Sequence, residues 1–142
     1  MLIATKVRLY PTSGQRRFLN GQFGAVRFCY NKAVALKRYL YRKKGISLSV
    51  IKEIKPLLSV AKKSRKYSWL AQYDSISLQE AVRHADTAYK RFFKKEARFP
   101  QFKSKRNRQS SYHCTSLRVG EDFIKIPKCE PIKAVIVKQT RL

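Results

Sequence analysis

Chemistry is densest in this sequence between Arg98 and Arg108. Phe99 and Phe102 alternate there with Lys103, Lys105, Arg106 and Arg108, and the polar groups of Gln109, Ser110 and Tyr112 follow. Cations so placed neutralise phosphates, while an aromatic face or an amide can meet a base. The two Phe residues have a competing reading, as core anchors where the chain returns to a sheet, and the sequence favours it over stacking. Tyr30, Trp69 and Tyr89 read as core as well.

A second cluster leaves the end of a helical stretch: Lys37, Arg38, Arg42, Lys43 and Lys44, with Lys62, Lys63, Arg65 and Lys66 beyond the next turn. It reads as a surface that tracks a phosphate backbone, against the plainer alternative of a solvated helix face. A third group, Ser75, Gln79, Arg83, Lys90, Arg91 and Lys94, belongs to a later helix. A Gln amide can pair with an adenine edge in the major groove, although a polar surface Gln is the ordinary case.

Composition favours phosphate contact for the cationic clusters. Lys and Arg number 33 against 8 Asp and Glu, a formal net charge of +25 on 142 residues. Charge of that size repels itself unless a polyanion neutralises it. A phosphate backbone does so while releasing condensed counterions, the main term in non-specific binding. Hydrophobic residues make up 44%, enough for a core and too many for a disordered basic tail. An anionic membrane is the rival polyanion, but the uncharged apolar runs are far too short to span a bilayer. Met1 to Lys6 lacks the pattern of a signal peptide, so the expected location is the cytoplasm.

Catalysis finds no support in the residues. There are no paired carboxylates with supporting groups, no phosphate-binding Gly loop and no Ser-His-Asp set. His113 adjoins Cys114 and His84 lies far off in sequence. Cys29, Cys114 and Cys129 are odd in number and form no C-x-x-C pair, which argues against disulfides and structural zinc. The expectation is buried or incidental thiols, no metal, no cofactor and no small-molecule substrate.

The elements that must position these residues follow from periodicity. Leu2 to Tyr10 alternates, with Ile3, Thr5, Val7 and Leu9 on one side and Lys6, Arg8 and Tyr10 on a basic outer face, which predicts a strand ended by Pro11. Thr12 with Gln15 is a capping box opening a helix. Gly21 and Gly24 predict a break in it. From Ala25 the stripe Val26, Cys29, Ala33, Leu36 and Leu40 marks a longer helix, stopped at Gly45. A short helix is expected from Ser49 to about Val60, despite Pro56. Another begins with a cap at Ser75 to Ser77 and buries Leu78, Val82, Ala85, Tyr89 and Phe92. Ser116–Val119 and Phe123–Ile126 flank Gly120-Glu121-Asp122 as a hairpin, and Ile132–Val137 is a final strand. The class is α+β: a small sheet or barrel interrupted after its first strand by a helical unit.

The ordered fragments resemble a known family. Arg8-Leu9-Tyr10-Pro11-Thr12 with Gln15, Phe23-Gly24-Ala25-Val26-Arg27-Phe28 and Tyr30-Asn31-Lys32-Ala33 look like the start of the TnpB (OrfB) proteins of insertion sequences. Tyr67-Ser68-Trp69-Leu70, Leu78-Gln79, Ala88-Tyr89-Lys90-Arg91-Phe92-Phe93, Phe99-Pro100-Gln101-Phe102-Lys103, Arg108-Gln109-Ser110 and Ile126-Pro127-Lys128 follow in the same order. These proteins are RNA-guided nucleases, relatives of the type V CRISPR effectors. The resemblance implies a wedge-like sheet unit at 1–11 and 99–142, with a helical, helix-turn-helix-like recognition domain inserted at 12–98. It implies guide-type structured RNA and DNA as partners, in a transposition and DNA recombination context, and it places Ser75 and Gln79 near a target-adjacent motif. It also implies that the cutting domain, with its three metal-holding carboxylates, and the zinc ribbon would follow Leu142, so that this chain is a truncated, nuclease-less form. Cys129-Glu130-Pro131 departs from the family pattern. The competing reading is an unrelated basic RNA-binding protein of ribosome-associated type. The sequence leaves the oligomeric state open.

Overall fold

The computed structural model describes residues 2–106 and 110–141. Strand β1, Ile3–Tyr10, leads into a single helix α1, Ser13–Lys44. A π-helical turn at Val50–Ile54, helix α2 at Leu57–Lys63 and a 3-10 turn at Ser68–Gln72 come next, followed by helix α3, Ser75–Phe93. Further along come β2 (Arg118–Val119), β3 (Phe123–Lys125) and β4 (Ile132–Arg141). The class is thus α+β, with helices and an open four-stranded sheet of order β1-β4-β3-β2. All three strand pairings are antiparallel.

Helix α1 opens as its capping box predicts. The Thr12 side chain accepts from the Gln15 N–H at 3.2 Å, and the Thr12 N–H donates back to Gln15 Oε1 at 2.9 Å. The Gln15 amide also donates to the carbonyls of Glu130 and Pro131, tying the helix start to the β3–β4 connection. The predicted break at Gly21 and Gly24 is corrected, because the helix runs through both. Gly21 serves close approach instead: a Cβ there would stand 2.0 Å from the Tyr73 hydroxyl oxygen. Gly45 ends the helix at φ 65°, and Ile46 and Gly45 donate backwards to the carbonyls of Leu40 and Tyr41.

Pro56 divides the helix expected over Ser49–Val60 into the π-helical turn and α2, since a ring nitrogen cannot donate within a helix. The cap of α3 is Asp74 rather than Ser75 to Ser77; its carboxylate accepts from the Ile76 N–H and the Ser77 hydroxyl. The hairpin of β2 and β3 lies where the Gly120-Glu121-Asp122 turn predicts. Strand β4 is longer than expected, because its far half pairs with β1.

Two cores result. The larger joins Ala25, Val26, Cys29, Ala33 and Val34 of α1 to Leu78, Ala81, Val82, Ala85 and Tyr89 of α3, with Val50, Ile54 and Leu70 closing one side. The smaller gathers Ile124, Ile126, Cys129, Ile132 and Ala134 beneath Val7, Leu9, Phe18 and Leu19. Tyr112 packs against both. Trp69, expected in the core, is 36% exposed and forms an edge contact to Phe28 at 5.3 Å. No helix among the described residues is long and apolar enough to cross a membrane.

Candidate nucleic-acid interface

Helices α1 and α3 pack side by side in the same direction. Early in both, the Asp74 N–H donates to Gln22 Oε1 at 3.0 Å; further along, the Tyr89 hydroxyl donates to the Val34 carbonyl at 2.8 Å. Their C-terminal ends therefore meet at one end of the molecule. Arg42, Lys43 and Lys44 fill the last turn of α1, and Lys90 and Arg91 that of α3. Cations there oppose the negative ends of two helix dipoles, so each helix tolerates the cluster locally. Beyond α3, Lys95 takes a left-handed φ of 62°, and Lys95 and Glu96 donate back to the Phe92 and Arg91 carbonyls.

From this end the chain beyond α3 turns back along α1 as a strap, described over residues 99–106 and 110–112. Phe99 meets Tyr89 and Phe92 edge-on at 5.5 and 5.1 Å. Asn31 exchanges two hydrogen bonds with the Lys103 backbone, at 2.9 and 2.8 Å, and the Lys103 ammonium stands 4.3 Å from the Tyr30 ring centroid. Arg27 donates to the Ser110 hydroxyl at 2.8 Å. Lys103 and Ser110 are thus held by the helical core, while Lys105 and Arg106 are exposed at a turn. Phe102 is 54% exposed, which corrects its reading as a core anchor; Phe99 does pack against the core. Arg108 and Gln109 lie outside the described residues. Tyr112 is half-buried against Phe23, and burial pushes its hydroxyl above the ordinary range.

The α1 cations differ in freedom. Lys37 donates to the Leu48 carbonyl and sits 5.4 Å from the Tyr89 ring, and the Arg38 guanidinium lies 5.9 Å from that of Phe99. Both are walls of a concavity. Arg42, Lys43 and Lys44 are exposed. On α3, Arg83 and Lys90 form solvent-facing ion pairs with Glu80 and Asp86, at 3.8 and 3.0 Å, while Arg91 and Lys94 are exposed. Pairs of that kind are weak and open to competition from phosphate.

Ser75 and Gln79 are not brought to this end. They sit in the first turns of α3, and Gln79 is about 22 Å from Lys94 along the helix direction. Past α2, Lys63, Arg65 and Lys66 are exposed, whereas Lys62 is partly buried and its ammonium is held below the usual range by desolvation and then by Lys128. The sheet adds cations that sequence reasoning did not assign to the site. Lys6 stands opposite Lys138 and Tyr10 opposite Lys133, so the outer face of the β1–β4 ribbon is basic on both strands. That pairing is non-local, and nothing near Lys133 or Lys138 in sequence announces it. Asn31, which fixes the strap, was legible only as part of a family fragment.

Among the described residues no group of three His, Cys, Asp or Glu is placed to hold a metal ion. Fold and charge together define a basic α+β domain whose cations gather on a helical end and a strand ribbon. The first 45 residues match the helix-turn-helix domain family of IS605-type OrfB proteins, and they form β1 and α1 here. The virulence protein VsdF of Salmonella dublin is 52% identical over 113 residues, covering 74% of this chain and 95% of VsdF. A Streptomyces pristinaespiralis protein provisionally named an RNA-guided DNA endonuclease is 33% identical over 112 residues, and InsQ of Escherichia coli K12, named likewise, is 31% identical over 104. This chain belongs to the OrfB (TnpB) family of transposon proteins. It spans almost the whole of VsdF but only 28% and 26% of the two endonuclease-named relatives.

Proposed function

We propose that this chain is a nucleic-acid-binding module that holds guide-type structured RNA, target DNA or both, and does not itself cut. The carrying observation is the convergence of two parallel helix ends, with Phe99 at the start of the strap, on one cationic face. Lys37, Arg38, Arg42, Lys43, Lys44, Lys90, Arg91 and Lys94 would supply its phosphate contacts, and Lys105 and Arg106, nearer the middle of α1, would extend the path. In this reading residues 12–98 are the recognition unit and 1–11 with 99–142 the sheet unit, with Phe99, Lys103 and Ser110 fastening the start of the second part to the helices. Ser75 and Gln79 form a separate contact nearer the other end of α3. The names of the two longer relatives support the RNA-guided context.

The test is to purify the chain from its host, sequence the RNA that accompanies it and repeat the wash at raised salt. One RNA from a transposon end surviving the wash is the expected result. Bulk ribosomal RNA instead would favour the ribosome-associated alternative, and magnesium-dependent cleavage by the pure chain would overturn the non-catalytic part.

A further inference from the structure

Between the ends of α1 and α3 lies a concavity of about 530 Å³, walled by Lys37, Arg38 and Arg42 on one side and by Tyr89, Phe92 and Phe99 behind. Its rim carries Tyr41 and Phe93, which are 64% and 67% exposed. Phe93 rests on Tyr89 and Phe92, at 6.4 and 5.3 Å, yet both it and Tyr41 stay largely open to water at this opening. None of the lining residues is acidic. The positions of Lys37 and Arg38 are fixed by ring faces and a carbonyl, so their charge is held at the wall at little further entropic cost.

We infer that this cleft takes an unstacked nucleobase from a single-stranded segment, with Tyr41 and Phe93 as the stacking faces and Arg38 and Arg42 against the flanking phosphates. The inference rests on the nucleic-acid reading above and narrows it. A base inside a duplex is stacked on both faces and cannot enter such a cleft; an unpaired base can, and aromatic stacking tolerates any base. An apolar peptide would fit the rings but leave three cations at the wall without a counter-charge. The phosphates on either side of a base supply that charge.

The probe is a short oligoadenylate with one central 2-aminopurine, made as RNA and as DNA, and compared with the same strand annealed to its complement. Binding of the intact chain should quench the fluorophore in the single strand, and the two sugars show which kind of strand is preferred. Replacing both Tyr41 and Phe93 by Ala should weaken single-strand binding about tenfold and abolish quenching, with duplex affinity unchanged. The pair Tyr41→Phe with Phe93→Tyr keeps both faces and should keep both behaviours. Binding without quenching by the unaltered chain overturns the inference, as does an equal loss of single-strand and duplex affinity in the Ala pair. If the unaltered chain binds neither probe, the broader nucleic-acid reading falls with it.

Discussion

The ring of Tyr73 lies across the backbone of Gly21, so close that a Cβ at that position would stand 2.0 Å from its oxygen and 2.7 Å from the carbon bearing it. The ring is not free to retreat, because Phe18 and Trp69 hold it at 5.7 and 6.3 Å. Gly21→Ala should therefore destabilise the fold by about 1–3 kcal/mol, against the roughly 1 kcal/mol gain that helix propensity alone predicts. Urea denaturation measures it. Adding Tyr73→Ala should remove the penalty of the Ala at 21, and failure of that pairing would show that the clash is relieved elsewhere.

Lys95 occupies a left-handed position at φ 62°, where a side chain costs about 1 kcal/mol and Gly costs nothing. Lys95→Gly should raise stability by about that amount in thermal or urea melts. The same change removes a cation beside the α3 end, so affinity for RNA should fall as stability rises. A variant that gained in both would count against a functional reason for the strained lysine.

Exposed cations of the proposed face can be counted through salt. The triple change Lys43→Gln, Lys44→Gln and Lys94→Gln should flatten the slope of log affinity against log salt by about 2–3, near one per lost phosphate contact. The fold should persist with a loss of about 1 kcal/mol, since all three are exposed and only their favourable place at the helix C-termini is lost. An unchanged slope would move the phosphate path elsewhere, with the Lys6 and Lys138 ribbon next to be tried.

Burial pushes the Cys29 thiol from its ordinary 9.0 up to about 12, and the Tyr89 hydroxyl from 10.0 up to about 12. Both stay protonated in the folded chain at pH values where an unfolded chain has begun to ionise. Their contribution to stability is whole below pH 9 and is lost as the pH rises towards about 12. Urea midpoints taken up that range should decline. At pH 8 a thiol reagent should label the partly exposed Cys114 well before Cys29, and equal rates would contradict the packing described.

Local patterns gave a good account of the helical unit because each rests on neighbours in sequence. The Thr12–Gln15 capping box, the Gly45 stop and the apolar stripe of α1 all appear where periodicity and capping place them. Gly21 misled for a physical reason: a glycine that admits a ring and a glycine that breaks a helix look alike until Tyr73 is in view. Asp74 outcompeted the serines as the α3 cap, because its carboxylate accepts from both a backbone N–H and the Ser77 hydroxyl. Residue type alone places Phe102 and Trp69 in the core, yet burial is set by what lies opposite. At the candidate site, the charged clusters were legible, but their convergence depends on α1 and α3 running the same way. The open rings of Tyr41 and Phe93, and the lysines of β4, gained meaning only from that arrangement.

Strand β1 pairs with β4 along its length, from Ile3 opposite Arg141 to Tyr10 opposite Lys133. The segment made early in synthesis must therefore wait for one made more than a hundred residues later. Contacts so distant in sequence form slowly, whereas the helical core can assemble from nearer neighbours while the ribosome is still at work. During that interval the apolar side of β1 has no partner, and its lysine and arginine serve as gatekeepers against premature sticking. Joining the two ends by a short linker and opening the chain elsewhere would remove the delay, turning the slowest step of assembly into a local hairpin.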